Sequence, residues 1–159
     1  MFHSVKEKRN LLSHSVWSCG DSGTSVLTEM KLWNSNILEI STYYQTNGDK
    51  GLKITVNGNA SFIGPQLTDT ANIIDKTVKF SFDVCTEVDC SIKIMQHNGT
   101  TYTDTKSAGI SGSSFSTHAE VTTEILSDTS MIWIRLDETN DSWNEGDIIY
   151  TDNWCLEEI

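Results

Sequence analysis

The chain has 159 residues, 37% of them hydrophobic, enough apolar surface for a single domain with a real core. Lysine and arginine number 11 against 22 aspartates and glutamates, a net charge of -11 that repels phosphate backbones and anionic membranes and argues against nucleic acid as a partner. With one proline, no low-complexity tract and no apolar run of spanning length, neither disorder nor membrane insertion is expected.

The opening MFHSVKEKRN is charged and lacks the apolar core of a secretory signal. Either the chain is a domain of a larger protein, or it is used without secretion by that route. Residues 1–9 read as an extension or tag, and 10–159 as one domain. Alternation with period two then dominates. Strands are expected over Asn10–Trp17, Leu27–Trp33, Ile37–Tyr44, Gly51–Asn57, Ala60–Leu67 and Lys76–Thr86. Further strands are expected over Cys90–His97, Thr100–Thr105, Phe115–Leu126, Met131–Asp137 and Asp147–Glu157, with a brief helical turn around Asp69–Ile74. Turn clusters separate them, among them Asn57-Gly58 and Asn98-Gly99, whose residues accept the positive φ of tight hairpins. Short strands at steady spacing predict an all-β fold, an antiparallel two-sheet sandwich.

Alternation also assigns faces. Val78, Phe80, Phe82 and Val84 point to the core, with Thr77, Lys79, Ser81, Asp83 and Cys85 opposite. Ile92 and Ile94 are core; Ser91, Lys93, Met95 and His97 face out. Ile132, Ile134 and Leu136 are core, while Met131, Trp133, Arg135 and Asp137 lie outside. A tryptophan beside an arginine on an outer sheet face marks a binding surface unless a long loop covers it.

The four cysteines, Cys19, Cys85, Cys90 and Cys155, have no CxxC spacing that would suggest zinc. A hairpin over TEVD would bring Cys85 and Cys90 face to face for a disulfide; otherwise both are small half-buried residues. The closing run GDIIYTDNWCLEEI sets Asp152 and Asn153 among Ile148, Ile149, Tyr150, Trp154 and Leu156. An ionised carboxylate there costs several kcal/mol unless a cation or donors meet it. A bound metal ion answers this; a bulge that turns Asp152 to water is the alternative.

Three segments in order resemble carbohydrate-binding modules of the family 4/9/22 type, which are jelly-roll sandwiches. They are Asn10-Leu11-Leu12 with Val16-Trp17-Ser18-Cys19-Gly20, then Asp75-Lys76-Thr77-Val78-Lys79-Phe80-Ser81-Phe82-Asp83-Val84, then Gly146-Asp147-Ile148-Ile149-Tyr150-Thr151-Asp152-Asn153-Trp154-Cys155-Leu156. The resemblance implies a structural calcium held by Asp152 and the opening loop, where Ser18 replaces the family's acidic residue and Asp21 is the nearest carboxylate. It also implies binding of polysaccharide or cell-surface glycan without catalysis, by stacking sugars on aromatic rings and bonding their hydroxyls.

The family's binding aromatics do not map position by position. The candidate ligand residues are therefore those of the outer face, Trp133 and Arg135, with Lys93, His97 and Asp83 beside them if the strands are neighbours. Tyr43, Tyr102 and Trp143 are candidates from loops or strand ends. Trp154 and Trp17 are read as core. The opening Lys8-Arg9-Asn10-Leu11-Leu12 also resembles jelly-roll modules of phage and prophage tail proteins, which implies host attachment or virion assembly as the alternative role. The expected setting is extracellular or cell-surface within a multidomain parent, or a virion. His3, His14, His97 and His118 are scattered, and HExxH, GxSxG and P-loop motifs are lacking, so an enzyme is not expected.

Overall fold

Strands with one apolar face are stable when two sheets bury those faces against each other. The computed structural model describes residue 11 and residues 31–32, 37–41, 51–57, 62–140 and 142–159. Among the described residues there are eleven strands and no helix. One sheet runs β1 (Lys31–Leu32), β4 (Phe62–Gly64), β10 (Met131–Glu138), β7 (Cys90–His97) and β8 (Tyr102–Ile110), with β5 (Gln66–Leu67) also on β10. The other runs β2 (Ile37–Ser41), β3 (Gly51–Thr55), β11 (Ile148–Glu158), β6 (Thr77–Thr86) and β9 (Ser113–Glu124). Every pairing is antiparallel. The sandwich is a jelly roll, as expected.

The core lies between the sheets. Val78, Phe80, Phe82 and Val84 of β6 meet Ile92, Ile94, Ile132, Ile134 and Leu136 from the six-stranded sheet, all buried. Trp154 stacks on Phe82 with ring centroids 4.9 Å apart, and its Nε1 donates to Thr151 Oγ1 at 2.9 Å. It is a core residue, as read from the sequence. Gln96 shares the inner face and is fully buried. Its Oε1 accepts from Leu126 N (2.9 Å) and Thr129 Oγ1 (2.7 Å), while Nε2 donates to Glu124 O (2.9 Å). These bonds pin the segment after β9 to β7.

Several expectations need correction. The described part of the expected strand Ala60–Leu67, residues 62–67, is two strands, because Pro65 has no N–H for a ladder; its carbonyl accepts from Ile134 N at 3.2 Å. Residues 71–75 are successive turns rather than helix, with Ile73 N bonded to Thr70 O and Lys76 N to Ile73 O. Cys85 and Cys90 are free thiols. The chain between them crosses from the five-stranded to the six-stranded sheet, so no hairpin brings them face to face. Tyr102–Ile110 extends well past the expected Thr105, since an edge strand with mostly exposed side chains carries no alternation to read. The expected strand Asn10–Trp17 lies outside the described residues apart from Leu11. Leu11 N donates to Leu156 O at 2.6 Å, so the chain at residue 11 runs beside the closing strand.

Candidate functional site

The outer face of the six-stranded sheet is built by β7 and β10 in full register. Met131 opposes His97, Trp133 opposes Met95, Arg135 opposes Lys93 and Asp137 opposes Ser91. Trp133 is half-buried, and β4 holds it from the side. Its Nε1 donates to Gly64 O at 3.1 Å, and Phe62 meets its ring edge-on at 4.9 Å. Gly64 is required for this approach, because a Cβ there would collide with the Ile134 carbonyl. The indole is thus a fixed plate, with neither a free rotamer nor an idle N–H.

Arg135 locks the same plate electrostatically. Its guanidinium carbon sits 3.8 Å from the Phe62 ring centroid and 5.1 Å from that of Trp133, in cation–π range. Its Nε and Nη2 donate to the two oxygens of Asp137 at 2.8 and 2.5 Å. Lys93 Nζ reaches Asp137 Oδ2 at 2.6 Å. One buried carboxylate is therefore shared by two cations, and bidentate geometry fixes the arginine. Arg135 and Lys93 face the same surface, as expected, but their charges are already engaged within the fold. At the end of the face, His97 and Tyr102 meet edge-on at 4.9 Å, and Tyr102 is 42% exposed. His97 Nδ1 accepts from Gly99 N at 2.9 Å.

Two candidate ligand residues lie elsewhere. Trp143 is 6% exposed and belongs to the core, its Nε1 donating to Asp89 O at 3.0 Å. Asp83 is on the outer face of the five-stranded sheet, because β6 and β7 are in different sheets. There it bonds His118 Nδ1 at 2.7 Å, accepts from Asn153 Nδ2 at 3.4 Å, and stands in register with Asp152. Tyr43 lies outside the described residues.

Asp152 combines features of both sequence readings. A bulge is present: β11 advances three residues from Asp152 to Cys155 while β6 advances two, from Asp83 to Ser81. Asn153 takes the extra place at φ 57°, a left-handed conformation that asparagine tolerates. Asp152 shares the outer face with Asp83, yet it is only 3% exposed. Its Oδ1 accepts from Asn153 N at 2.7 Å. Among the described residues no group of three or more His, Cys, Asp and Glu could hold a metal ion. The other expected ligands, Ser18 and Asp21, lie outside the described residues.

The sequence reading missed Phe62, Gly64 and the double pairing of Asp137. The Gly64-Pro65 pair was the available signal, since it marks a close backbone approach and a broken ladder.

No family model matches the chain, and no curated protein matches its sequence. Its fold matches solved structures. An enzymatically active domain of tailspike protein 4 of bacteriophage CBA120 superposes with a TM-score of 0.72 at 10% identity, over 92% of this chain and 21% of that one. The CBM22-1 xylan-binding domain of Paenibacillus barcinonensis Xyn10C gives 0.65 at 15% identity, over 96% of both chains. TmCBM61 in complex with β-1,4-galactotriose gives 0.61 at 13% identity, over 95% of this chain and 99% of that one. The class is therefore settled in fold: a jelly-roll sandwich like those of carbohydrate-binding modules. This chain spans about a fifth of the solved tailspike chain that shares the fold.

Proposed function

We propose that this chain is a non-catalytic module that binds polysaccharide or cell-surface glycan through the outer face of its six-stranded sheet. The observation that carries the reading is the half-buried Trp133 indole, immobilised by Gly64 O, Phe62 and Arg135. A rigid aromatic plate stacks on the C–H face of a sugar with little ordering cost. Lys93, His97 and Tyr102 flank it on the same face and supply donors for sugar hydroxyls. Arg135 serves as a positioning residue. The likeness in fold to modules that bind xylan and galactotriose supports the same reading. Among the described residues no helix is long and apolar enough to cross a membrane, and the proposed setting is extracellular, cell-surface or virion.

Affinity electrophoresis through soluble xylan and galactan, with a glycan array beside it, tests the proposal. Retardation that Trp133→Ala abolishes is the expected result; no binding across a broad panel overturns it. The fold likeness to a phage tailspike domain favours a second role, as a host-attachment or assembly module of a virion. That role predicts a trimer or larger assembly by light scattering, and a clean monomer counts against it.

A structural calcium on Asp152, with Ser18 and Asp21, belongs to the same proposal. It rests on the deep burial of the Asp152 carboxylate, which oxygen-seeking calcium would neutralise when bound. Chelator is expected to lower the melting temperature of the parent and not of Asp152→Ala. If the two proteins melt alike with and without chelator, the ion is rejected.

A further inference from the structure

The five-stranded sheet carries a second candidate site, at the end where β6 leaves for the other sheet. The β6–β7 crossover and the starts of β9 and β11 enclose a pocket of about 400 Å³, inside the range of about 300–1,000 Å³ common to small-molecule sites. Local chemistry holds it open. Thr86 Oγ1 donates to Ile148 O at 3.1 Å and accepts from Val88 N at 3.3 Å, tying the crossover to β11. Asp89 Oδ1 accepts from Gly112 N at 2.8 Å, and a Cβ on Gly112 would strike the Glu87 carbonyl. The turn between β8 and β9 is thereby clamped against the crossover. On the third side, Gly146 at φ 94° and the bond from Asn144 N to Asp147 Oδ2 (2.6 Å) shape the entry to β11.

The lining is chemically one-sided. Tyr150 and the 40% exposed Ile148 provide an apolar wall, the Ser114 segment a polar edge, and Glu87 and Asp147 two carboxylates. Among the described residues, none that lines it is a lysine, arginine or histidine. We infer that this pocket is a second saccharide subsite, selective for neutral sugar residues over uronates and sulfated sugars. The inference deepens the glycan reading above and rests on it. A pyranose presents a C–H face suited to Tyr150 and Ile148, and hydroxyl donors suited to carboxylate acceptors. An anionic sugar would meet two like charges and, among the described lining residues, no cation, in a chain of net charge -11.

Cys85, a half-buried free thiol, lines the pocket and reports its occupancy. Cys90 is buried with its thiol pushed up to about 12, and Cys155 on the same sheet lies outside the pocket. Iodoacetamide labelling read residue by residue by mass spectrometry therefore isolates the site, with Cys155 as reference. The probes are xylohexaose and β-1,4-galactotriose as neutral sugars, and trigalacturonate as the acidic one.

A neutral sugar at ten times its Kd is expected to slow Cys85 labelling about tenfold, with Cys155 unchanged and trigalacturonate without effect. Ser114→Trp, which fills the pocket, is expected to abolish that protection. If a sugar retards the protein in gels but leaves Cys85 labelling unchanged, the subsite is wrong and the glycan reading stands. Equal protection by neutral and acidic sugars overturns the selectivity. If no probe binds by either measure, the glycan reading and the subsite fall together.

Discussion

Asp137→Ala tests whether the Trp133 plate is held electrostatically. The Asp137 side chain is 5% exposed, Arg135 12% and Lys93 25%, and both cations sit on its two oxygens. Removing one partner of a fully buried ion pair costs about 3–5 kcal/mol, chiefly because the other charge is stranded. Lys93 can swing toward water and Arg135 keeps its face on Phe62, so the cost here is about 2–3 kcal/mol after that relief. In a domain of this size that loss corresponds to roughly 5–10 °C in melting temperature. The assay is urea and thermal denaturation of Asp137→Ala, Arg135→Met and the double variant. Because the penalty lies in the stranded charge, the double variant is expected to lose about 1–2 kcal/mol less than the sum of the singles. Trp133 fluorescence should shift to the red in Asp137→Ala as the indole loosens. Additive losses, or an Asp137→Ala protein melting within about 1 °C of its parent, would refute the reasoning.

Gln96→Met keeps the volume but strands Leu126 N and Thr129 Oγ1; a loss of about 2–4 kcal/mol is expected by urea titration, and a change under about 0.5 kcal/mol would show that water replaces the amide at no cost. Asn153→Val forces a β-branched residue into the left-handed conformation of the bulge and is expected to cost about 1–3 kcal/mol, whereas Asn153→Gly should cost less; the reverse order by thermal melting would reject the strain argument. The Cys90 thiol is pushed up from an ordinary 9.0 to about 12, first by burial and then by Asp89 beside it. Its folded value exceeds its unfolded one, so it contributes stability that is fully present below pH 9 and is lost as pH rises toward 12. Cys90→Ala is therefore expected to show a shallower fall in stability between pH 9 and 11, and parallel curves for the two proteins would contradict it.

Much of the architecture was legible because apolar alternation has a physical cause. Along β6, β7 and β10 each side chain's hydrophobicity fixes its face, since a slip of one residue would expose the entire apolar set. The faces of Val78–Val84, Ile92–Ile94 and Ile132–Leu136 follow from that rule and match the burial. Gln96 escaped the rule because its inward position is stabilised by partners remote in sequence, Leu126, Thr129 and Glu124. Tyr102–Ile110 escaped it because an edge strand buries too little to leave a pattern.

The candidate site divides the same way. Sequence by itself determined that Trp133 and Arg135 share the outer side of one strand and Lys93 and His97 that of another, because strand periodicity is a local property of the backbone; the pairing of β7 with β10 is what joins them into one face. Only the tertiary structure decided what those side chains do. Phe62, Gly64 and Asp137 convert Trp133 and Arg135 into a rigid plate, and strand order assigns Asp83 to the opposite sheet. Trp154 and Leu156 point inward, although strict alternation from Ile149 would turn them out, because one extra residue at Asn153 resets the phase of β11. Pairing partners, bulges and buried charge neutralisation depend on which segments meet in space, and that is set by the global minimum of packing and hydrogen bonding rather than by any short window of the chain.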